Sequence, residues 1–392
     1  MRNLLFTLIL LFNAISCFGQ SSVSAILKAN RLDINFDGNQ FSGLGWERLQ
    51  SEIEQHSNIM IGEDHFIAEI PLFVSAIAST VHFNNFFCEI DPYSAYLISD
   101  QLLNASQEDY ALFLQNKAYT FSFYALENEY RLLEKLAKQE ADIIGTDQIV
   151  LTADALVAQH LKEKTTSDEA KAIYSSIEKE SKAQFNLFTS GKGSPYMFTP
   201  SFEEKMGQLG QLELSDYEQT LLSDLKLSQK IYATQDHQLR IQLMKYNLMK
   251  YSDKLQHEKN LFKYGAIHSS KVESVLGGYD IGNLVAHMAD ANFSTSLHIM
   301  VLAKSGMQGV PFEGMEPQGI DPNSKDLKAL APLFEVTDSE WALFDTLKIR
   351  KELKKEQIKL DERLTKMLNG YDYIVVIPEA SAAKFLNLDS LN

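Results

Sequence analysis

Asn58-Ile-Met-Ile-Gly62-Glu63-Asp64-His65 and Leu261-Phe-Lys-Tyr-Gly265-Ala266-Ile267-His268 share one pattern, in which an apolar run stops at Gly and a His follows three residues later. A short apolar run is typical of a buried strand. Each stretch therefore predicts a His just after the carboxyl end of a strand. In open α/β sheets, ligands bind at that edge of the sheet. The pattern predicts that His65 and His268 belong to a functional site.

Strand-like runs alternate with helical patterns along much of the chain. Besides the two quoted runs, short apolar segments occur at residues 86–90, 142–147, 297–303 and 373–377, and helical patterns cover residues 106–139 and 281–289. This alternation predicts an α/β fold with a mostly parallel sheet flanked by helices. Residues 151–259 are rich in Lys, Glu, Gln, Leu and Ala and lack strand runs. They predict a large helical insertion over the carboxyl edge of the sheet, where it could act as a lid.

The N-terminus has the layout of a secretory signal peptide. One basic residue, Arg2, precedes an apolar run, and small residues follow it, which predicts a signal peptide at residues 1–19. The remaining residues, 20–392, are expected to form a single α/β domain in an exported, periplasmic or secreted protein. A lipoprotein anchored at Cys17 is the alternative. No later run is long enough to cross a membrane, so no transmembrane segment is expected.

Charge and cysteine content exclude several classes of function. The formal net charge is −16, and an acidic surface repels polyanions, so we expect no nucleic-acid partner. Cys88 is the one cysteine left after the signal peptide. An intramolecular disulfide and a cysteine-based metal site are therefore excluded.

Carboxylates accompany the two His residues at the predicted strand ends. Glu63 precedes His65, while Glu89 and Asp147 end two other apolar runs. Carboxylates and imidazoles in one cleft can carry out general acid/base hydrolysis through water. A set of two His and one Glu can also bind a divalent metal, here through His65, Glu89 and His268. The expected partner is a small-molecule or peptide substrate.

Other polar residues near these motifs have both functional and structural interpretations. Glu69 lies four residues after His65, so on a helix it could orient the imidazole, or it could simply face solvent. Asp64 and Asp91 are well suited to helix capping. Arg240, on the predicted insertion, could hold an anionic group of a substrate or form a surface salt bridge. Asp147 and Glu69 are the other candidate substrate-binding residues.

Four short blocks resemble the erythromycin esterase-like, ChaN-like and TIKI/TraB superfamily. Residues 58–65 resemble its opening motif, and Phe87-Cys-Glu89-Ile resembles its second-strand glutamate. Arg240-Ile-Gln-Leu-Met244-Lys-Tyr-Asn247 is similar to the helix that precedes its late strand, and residues 263–268 resemble its late Gly-x-x-His. With Ile281-Gly-Asn-Leu, the C-terminal half resembles exported Bacteroidetes-like members.

The resemblance implies an α/β sheet with a helical insertion and a cleft lined by Glu63, His65, Glu89 and His268. In esterase-like members the matching His acts as general base on water and glutamates assist. TIKI-like members cleave peptides with a metal, and ChaN-like members bind haem iron. Those esterases usually have two residues between Glu and His, whereas one separates Glu63 from His65. We therefore do not expect macrolide hydrolysis.

Two functional hypotheses follow from the sequence. The first is an exported hydrolase that activates water on an ester, lactone or amide. His65 would be the general base, oriented by Glu69 or Glu89, and His268 would polarise the substrate or the transition-state oxyanion. The alternative is a periplasmic or surface protein that binds haem or another ligand without turnover. A divalent metal or haem is the expected cofactor if one is bound, and the oligomeric state is left open.

Overall fold

The computed structural model describes residues 23–387 except 116, 118, 119, 313 and 326. The predicted signal peptide, residues 1–19, and Cys17 lie outside the described residues. The strands are β1 (Arg31–Phe36), β2 (Phe41–Ser42), β3 (Asn58–Glu63), β4 (Asn85–Cys88), β5 (Asp142–Gly145), β6 (Asn260–Gly265), β7 (Leu297–Ala303), β8 (Met307–Gln308), β9 (Gln318–Gly319), β10 (Trp341–Asp345) and β11 (Tyr373–Ile377).

The helices are numbered in the same way. They are α1 (residues 23–29), α2 (Leu44–Gln55), α3 (Glu69–Ile77), α4 (Pro92–Asn104), α5 (Gln107–Gln115), α6 (Glu127–Lys138), α7 (Asp154–Lys164), α8 (Asp168–Thr189), α9 (Pro200–Leu209), α10 (Asp216–Thr234), α11 (His237–Met249), α12 (Ser252–His257), α13 (Ile281–Ala291), α14 (Ala331–Glu335), α15 (Thr346–Lys355) and α16 (Glu362–Gly370). Short 3₁₀ helices occur at Ser122–Ala125, Tyr196–Phe198, Ala266–His268 and Lys328–Leu330. Within the described ranges, no helix is long and apolar enough to span a membrane.

The described chain divides into two compact units. The first unit contains the residues up to 84 together with 253–310 and 314–383, and the second contains 85–252, 311–312 and the residues from 384 onward. The single domain predicted for residues 20–392 and the lid role predicted for residues 151–259 stay predictions.

The first unit is built on a mixed sheet with the strand order β2-β1-β10-β11-β7-β3-β6. Strands β11, β7, β3 and β6 run parallel to one another, while β1 and β10 pair antiparallel at one side. Every residue of β3, β6, β7 and β11 is buried. Strands covered on both faces read as continuous apolar runs, which is why the sequence reveals them. The predicted α/β class with a mostly parallel sheet is confirmed.

A hydrophobic core in the first unit covers one face of this sheet. Met300 and Leu302 of β7 pack there with Phe344 of β10 and with Ile374 and Val376 of β11. Alternate residues of a strand point to the same face, so these side chains line one layer.

Gly62, in the first of the two motifs, is required by close packing. A Cβ atom at this position would lie 2.9 Å from the Tyr371 hydroxyl and 3.0 Å from the Cβ atom of Ser269. The Tyr371 hydroxyl donates a hydrogen bond to the carbonyl oxygen of Ala266. Gly62 therefore leaves room for the aromatic ring that holds the turn after β6.

In the second unit, β4 and β5 are parallel and are followed by a helical segment. The side-chain amide of Asn247 in α11 donates to the carbonyl oxygen of Thr146 over 2.9 Å. The hydroxyl of Ser228 in α10 accepts from the backbone N–H of Ile149, also over 2.9 Å. Both contacts lie just after β5, so the predicted helical insertion packs over the carboxyl ends of the β4–β5 pair.

The secondary structure differs from the sequence prediction in two respects. Residues 106–139 do not form one helix but contain α5, the 3₁₀ helix Ser122–Ala125 and α6. Ser122 has a φ of 51°, a left-handed conformation that an α-helix cannot contain. The other difference is that five strands were not predicted from the sequence: β1, β2, β8, β9 and β10.

Candidate active site

Glu63 and His65 form a carboxylate–imidazole pair at the carboxyl end of β3. Oε1 of Glu63 lies 2.9 Å from Nδ1 of His65. The Glu63 side chain is buried, whereas the His65 side chain is 28% exposed. A carboxylate at Nδ1 fixes the ring orientation and the tautomer, because it accepts the Nδ1 proton and leaves Nε2 as the basic nitrogen. His65 is therefore an oriented imidazole that solvent can reach.

The positive charge of Lys263, on the neighbouring strand β6, compensates the negative charge of the buried Glu63 carboxylate. Its Nζ atom lies 2.6 Å from Oε1 of Glu63. Burial by itself would raise the pKa of Glu63, but the Lys263 ammonium and the His65 ring outweigh it and lower that pKa below its usual value. Glu63 is consequently ionised and acts as an acceptor at neutral pH.

His268 belongs to a second pair of the same chemical type. It ends the 3₁₀ helix after β6, and its Nδ1 atom lies 2.7 Å from Oδ2 of Asp280. Both side chains are 2% exposed. The other oxygen of Asp280 accepts from the backbone N–H of Ile281, over 2.7 Å, at the start of α13. The helix start therefore holds the carboxylate that orients His268.

A cavity of about 320 Å³ lies beside these motifs in the first unit, within the size range of small-molecule sites. Asp64, Ala266, Ile267 and Tyr371 are among the residues that line it. Burial raises the pKa of Asp64 to about 6, although the nearby His65 ring works in the opposite direction. A carboxyl group with such a pKa can exchange a proton near neutral pH.

The contacts of Glu69 differ from the orientation that its spacing suggested. Both of its carboxylate oxygens accept from the backbone N–H of Ser381 over 3.0 Å. The carboxylate at Nδ1 of His65 is that of Glu63. We therefore assign the orienting contact to Glu63 and the anchoring of the Ser381 segment to Glu69.

In the second unit, Arg240 bridges two predicted site residues. Its Nη2 atom donates to Oε1 of Glu89 over 2.7 Å, and its Nε atom donates to Oδ1 of Asp147 over 2.9 Å. Burial alone would lower the pKa of Arg240, but Asp147 and Glu89 raise it. A guanidinium that bonds two carboxylates holds them close together. The side chain is 23% exposed, so Arg240 forms partly buried ion pairs, and its role in substrate binding stays a prediction.

Lys263 and Asp280 were not predicted from the sequence, although they hold Glu63 and His268, two of the predicted site residues. Lys263 could have been noticed as a cation inside a buried apolar strand, where charge is rare unless paired. Asp280 precedes an apolar helix and resembles an ordinary N-cap residue, so its second contact has no sequence signal. The metal set His65, Glu89 and His268 has members in both units and stays a prediction.

Comparison with known proteins gives similarity in structure alone. No protein-family model matches the sequence, and no curated protein matches it. A succinoglycan biosynthesis protein aligns with a TM-score of 0.58 at 15% identity, over 94% of this chain and 99% of the other. A protein from Bacillus cereus aligns with a TM-score of 0.57 at 14% identity, over the same shares of the two chains.

A third solved structure carries a name that bears on the sequence motifs. It is a mutant of the erythromycin esterase EreC in its open conformation, with a TM-score of 0.54 at 14% identity, over 88% of this chain and 95% of the other. Identities this low indicate a shared fold and not a shared activity. The chain has the erythromycin esterase-like fold, and the resemblance inferred from its four motifs is confirmed at the level of the fold.

Proposed function

We propose that this chain is a hydrolase in which His65 activates water for attack on an ester, lactone or amide carbonyl of a small molecule or peptide. The observation that supports the proposal best is the Glu63–His65 pair, 2.9 Å between Oε1 and Nδ1, at the carboxyl end of a central parallel strand. Catalytic imidazoles are commonly oriented by a carboxylate at the second ring nitrogen.

The contacts of His65 support the role of general base. Glu63 holds the Nδ1 proton, so Nε2 takes the proton from water as the water oxygen attacks the carbonyl carbon. The negative charge of Glu63 stabilises the imidazolium that forms, and the proton then goes to the leaving group. The Lys263 ammonium keeps Glu63 ionised for this purpose.

His268 is proposed to stabilise the oxyanion of the tetrahedral intermediate. Asp280 accepts its Nδ1 proton at 2.7 Å, and in the imidazolium form the ring donates from Nε2 to the oxyanion. Roles for Glu89 as an assisting carboxylate, and for Arg240 and Asp147 in substrate binding, stay predictions, and the water-activating role of His65 does not depend on them. The sequence of residues 1–19 supports action outside the cytoplasm.

The reaction class has further support from the fold, which this chain shares with an erythromycin esterase. The single residue between Glu63 and His65 favours a substrate other than a macrolide. A panel of chromogenic esters, lactones and short peptides tests the proposal. Turnover of at least one substrate class should fall about 100-fold or more in His65→Ala and in His268→Ala. His287→Ala, on an exposed face of α13, is the matched control. Equal turnover by the wild type and both variants would overturn the proposal.

Elemental analysis of the purified protein distinguishes two forms of this mechanism. About one equivalent of a divalent metal per chain, lost in His65→Ala, would assign His65 to metal-assisted activation of water. A metal content unchanged by that substitution, together with lost turnover, would assign it to general base catalysis.

A further inference from the structure

A second, larger cavity lies wholly within the second unit. Its volume is about 520 Å³, in the range of sites for small organic molecules. Residues of α4, α7, α10 and α11 line it, together with the segment that follows β5. The residues that carry the mechanism proposed above do not line this cavity, namely Glu63, His65, Lys263, His268 and Asp280, whereas Asp147, a predicted substrate-binding residue, does.

Aromatic rings form one wall of the cavity. The ring centroids of Tyr93 and His160 are 4.7 Å apart, and those of His160 and Tyr217 are 5.7 Å apart. Burial and the nearby Lys164 lower the pKa of His160, so the ring is neutral at neutral pH. Its Nε2 atom lies 2.7 Å from the Tyr217 hydroxyl. The wall therefore offers the faces of uncharged aromatic rings.

Three lining residues carry buried polar atoms that have no hydrogen-bond partner among the described residues. They are Oδ2 of Asp91, the hydroxyl of Tyr93 and Oε1 of Gln148. Asp91 is completely buried, and its other oxygen accepts from the backbone N–H of Ser94 over 2.8 Å, capping α4. Native proteins seldom leave such groups without partners, because the loss of hydration is not compensated. Two of the three atoms are pure acceptors, so a complementary ligand carries N–H or O–H donors.

The charge of the lining residues is mostly negative. Asp91, Asp147 and Asp224 line the cavity, and Lys164, which is exposed, is the one Lys or Arg among the described residues of its wall. Arg240 compensates Asp147. Burial raises the pKa of Asp91 to about 6, although hydrogen bonds from Ser94 work in the opposite direction. Burial also raises the pKa of Asp224, where the nearby Lys250 works in the opposite direction.

We propose that this cavity binds a small organic cation, in which an ammonium group donates to Asp91 and Gln148 while the attached apolar part packs against Tyr93 and Tyr217. Aromatic faces attract ammonium groups through their negative quadrupole, and a bound cation supplies the positive charge that the Asp91 carboxyl group lacks. An uncharged sugar could pack on the same rings but would leave that charge uncompensated. The proposal is independent of the hydrolytic mechanism.

Isothermal titration of the full chain with matched probes tests the proposal. Cyclohexylmethylammonium and phenethylammonium should bind about tenfold or more tightly than cyclohexylmethanol and phenylethanol, which have the same shape without the charge. Methyl glucoside serves as the sugar probe. Ammonium and alcohol probes that bind equally, no binding of either ammonium, or binding of the sugar alone would each overturn the proposal.

Asp91→Asn tests whether Asp91 recognises the positive charge of the ligand. Asn also caps helices well, so α4 should stay folded while the affinity for the ammonium probes falls about tenfold or more. Asp361→Asn is the matched control, since Asp361 is an exposed N-cap residue of α16. Tyr93→Leu gives a second, charge-neutral test and should also weaken ammonium binding. Unchanged ammonium affinity in both Asp91→Asn and Tyr93→Leu would overturn the proposal.

Discussion

The Nζ atom of Lys263 lies 2.6 Å from Oε1 of Glu63, and the two side chains are 0% and 2% exposed. They stand on neighbouring parallel strands, β6 and β3, whose register pairs Glu63 with Gly265. A buried ion pair contributes little net stability, but removing one partner leaves an uncompensated charge. The pair thus couples the folding of the first unit to the ionisation of the carboxylate that orients His65.

Lys263→Met should destabilise the protein by about 3–5 kcal/mol at neutral pH, because Glu63 is left buried without its cation. Urea unfolding followed by circular dichroism measures the change. Lys348→Met is the control, since Lys348 is 61% exposed in its ion pair with Asp345, and should change stability by about 1 kcal/mol or less. Similar losses in both variants would contradict the role assigned to Lys263.

The same variant has a defined dependence on pH. The folded state lowers the pKa of Glu63, so the stability it contributes is present above the pKa of the unfolded chain and is lost as the pH falls through the folded pKa. Without Lys263, burial favours the neutral acid. The difference in unfolding free energy between the wild type and Lys263→Met should therefore shrink in acid. A difference that stays constant down to about pH 4 would contradict this coupling.

Gly62→Ala should destabilise the protein by about 1–3 kcal/mol through overpacking against the Tyr371 ring. The added Cβ atom would lie 2.9 Å from the Tyr371 hydroxyl. Gly207→Ala is the matched control, because a Cβ atom in that part of α9 meets nothing within 4 Å. Helix propensity should make it more stable by up to about 1 kcal/mol. Chemical unfolding of both variants checks that the two changes have opposite signs.

We expect the protein to lose stability in mild acid because of His298. It is completely buried on β7, donates from Nδ1 to the carbonyl oxygen of Ser269 over 2.7 Å and accepts at Nε2 from the Ser296 hydroxyl over 2.8 Å. Burial, helped by Lys271, lowers its pKa to about 3. Below the ordinary pKa, the unfolded chain takes up a proton at this residue and the folded chain does not, so the stability decreases as the pH falls.

His298→Asn should remove this dependence. Between pH 7 and about pH 5, the wild type should lose about 2 kcal/mol more unfolding free energy than the variant, since each pH unit below the ordinary pKa contributes about 1.4 kcal/mol. Urea titrations at both pH values provide the comparison. Equal losses in the two proteins would mean that His298 takes up a proton in the folded state.

Arg240→Lys should destabilise the second unit by about 1–3 kcal/mol, because an ammonium cannot reproduce the planar donors that reach Glu89 and Asp147 together. Arg131→Lys is the control, since Arg131 is 50% exposed in its ion pair with Glu127 and should change stability by about 0.5 kcal/mol or less. Hydrogen exchange at amides of β4 and β5 locates the effect. Unchanged protection of these strands would contradict the bridging role of Arg240.

The buried parallel strands were predictable because their apolar runs are continuous. β3, β6 and β7 appear in the sequence at nearly their observed bounds. β10 was not identified, because its five residues, Trp341–Asp345, follow a polar stretch and adjoin a Lys-rich helix. β1 alternates polar and apolar residues, as strands near the side of a sheet often do, and it pairs antiparallel with β10. Its alternation is a local signal of a half-buried strand that was not used in the prediction.

The candidate site was predictable in part for the same reason. Glu63, His65 and His268 follow strands that the apolar runs reveal, so their position at one sheet edge follows from parallel topology. The contact between His268 and Asp280 could not be predicted, because the loop between the two residues has no helical or strand periodicity. The contact of Glu69 with Ser381 could not be predicted either, because the two residues lie far apart in the sequence and meet only in the folded first unit.

The role of His65, held by Glu63, as the group that activates water is tested by kcat/KM of His65→Ala on the best ester, lactone or peptide substrate of the wild type, beside His287→Ala. We expect a loss of about 100-fold or more in His65→Ala, unchanged turnover in His287→Ala, and circular dichroism spectra that match the wild type in both. Wild-type kcat/KM in a folded His65→Ala protein would contradict it.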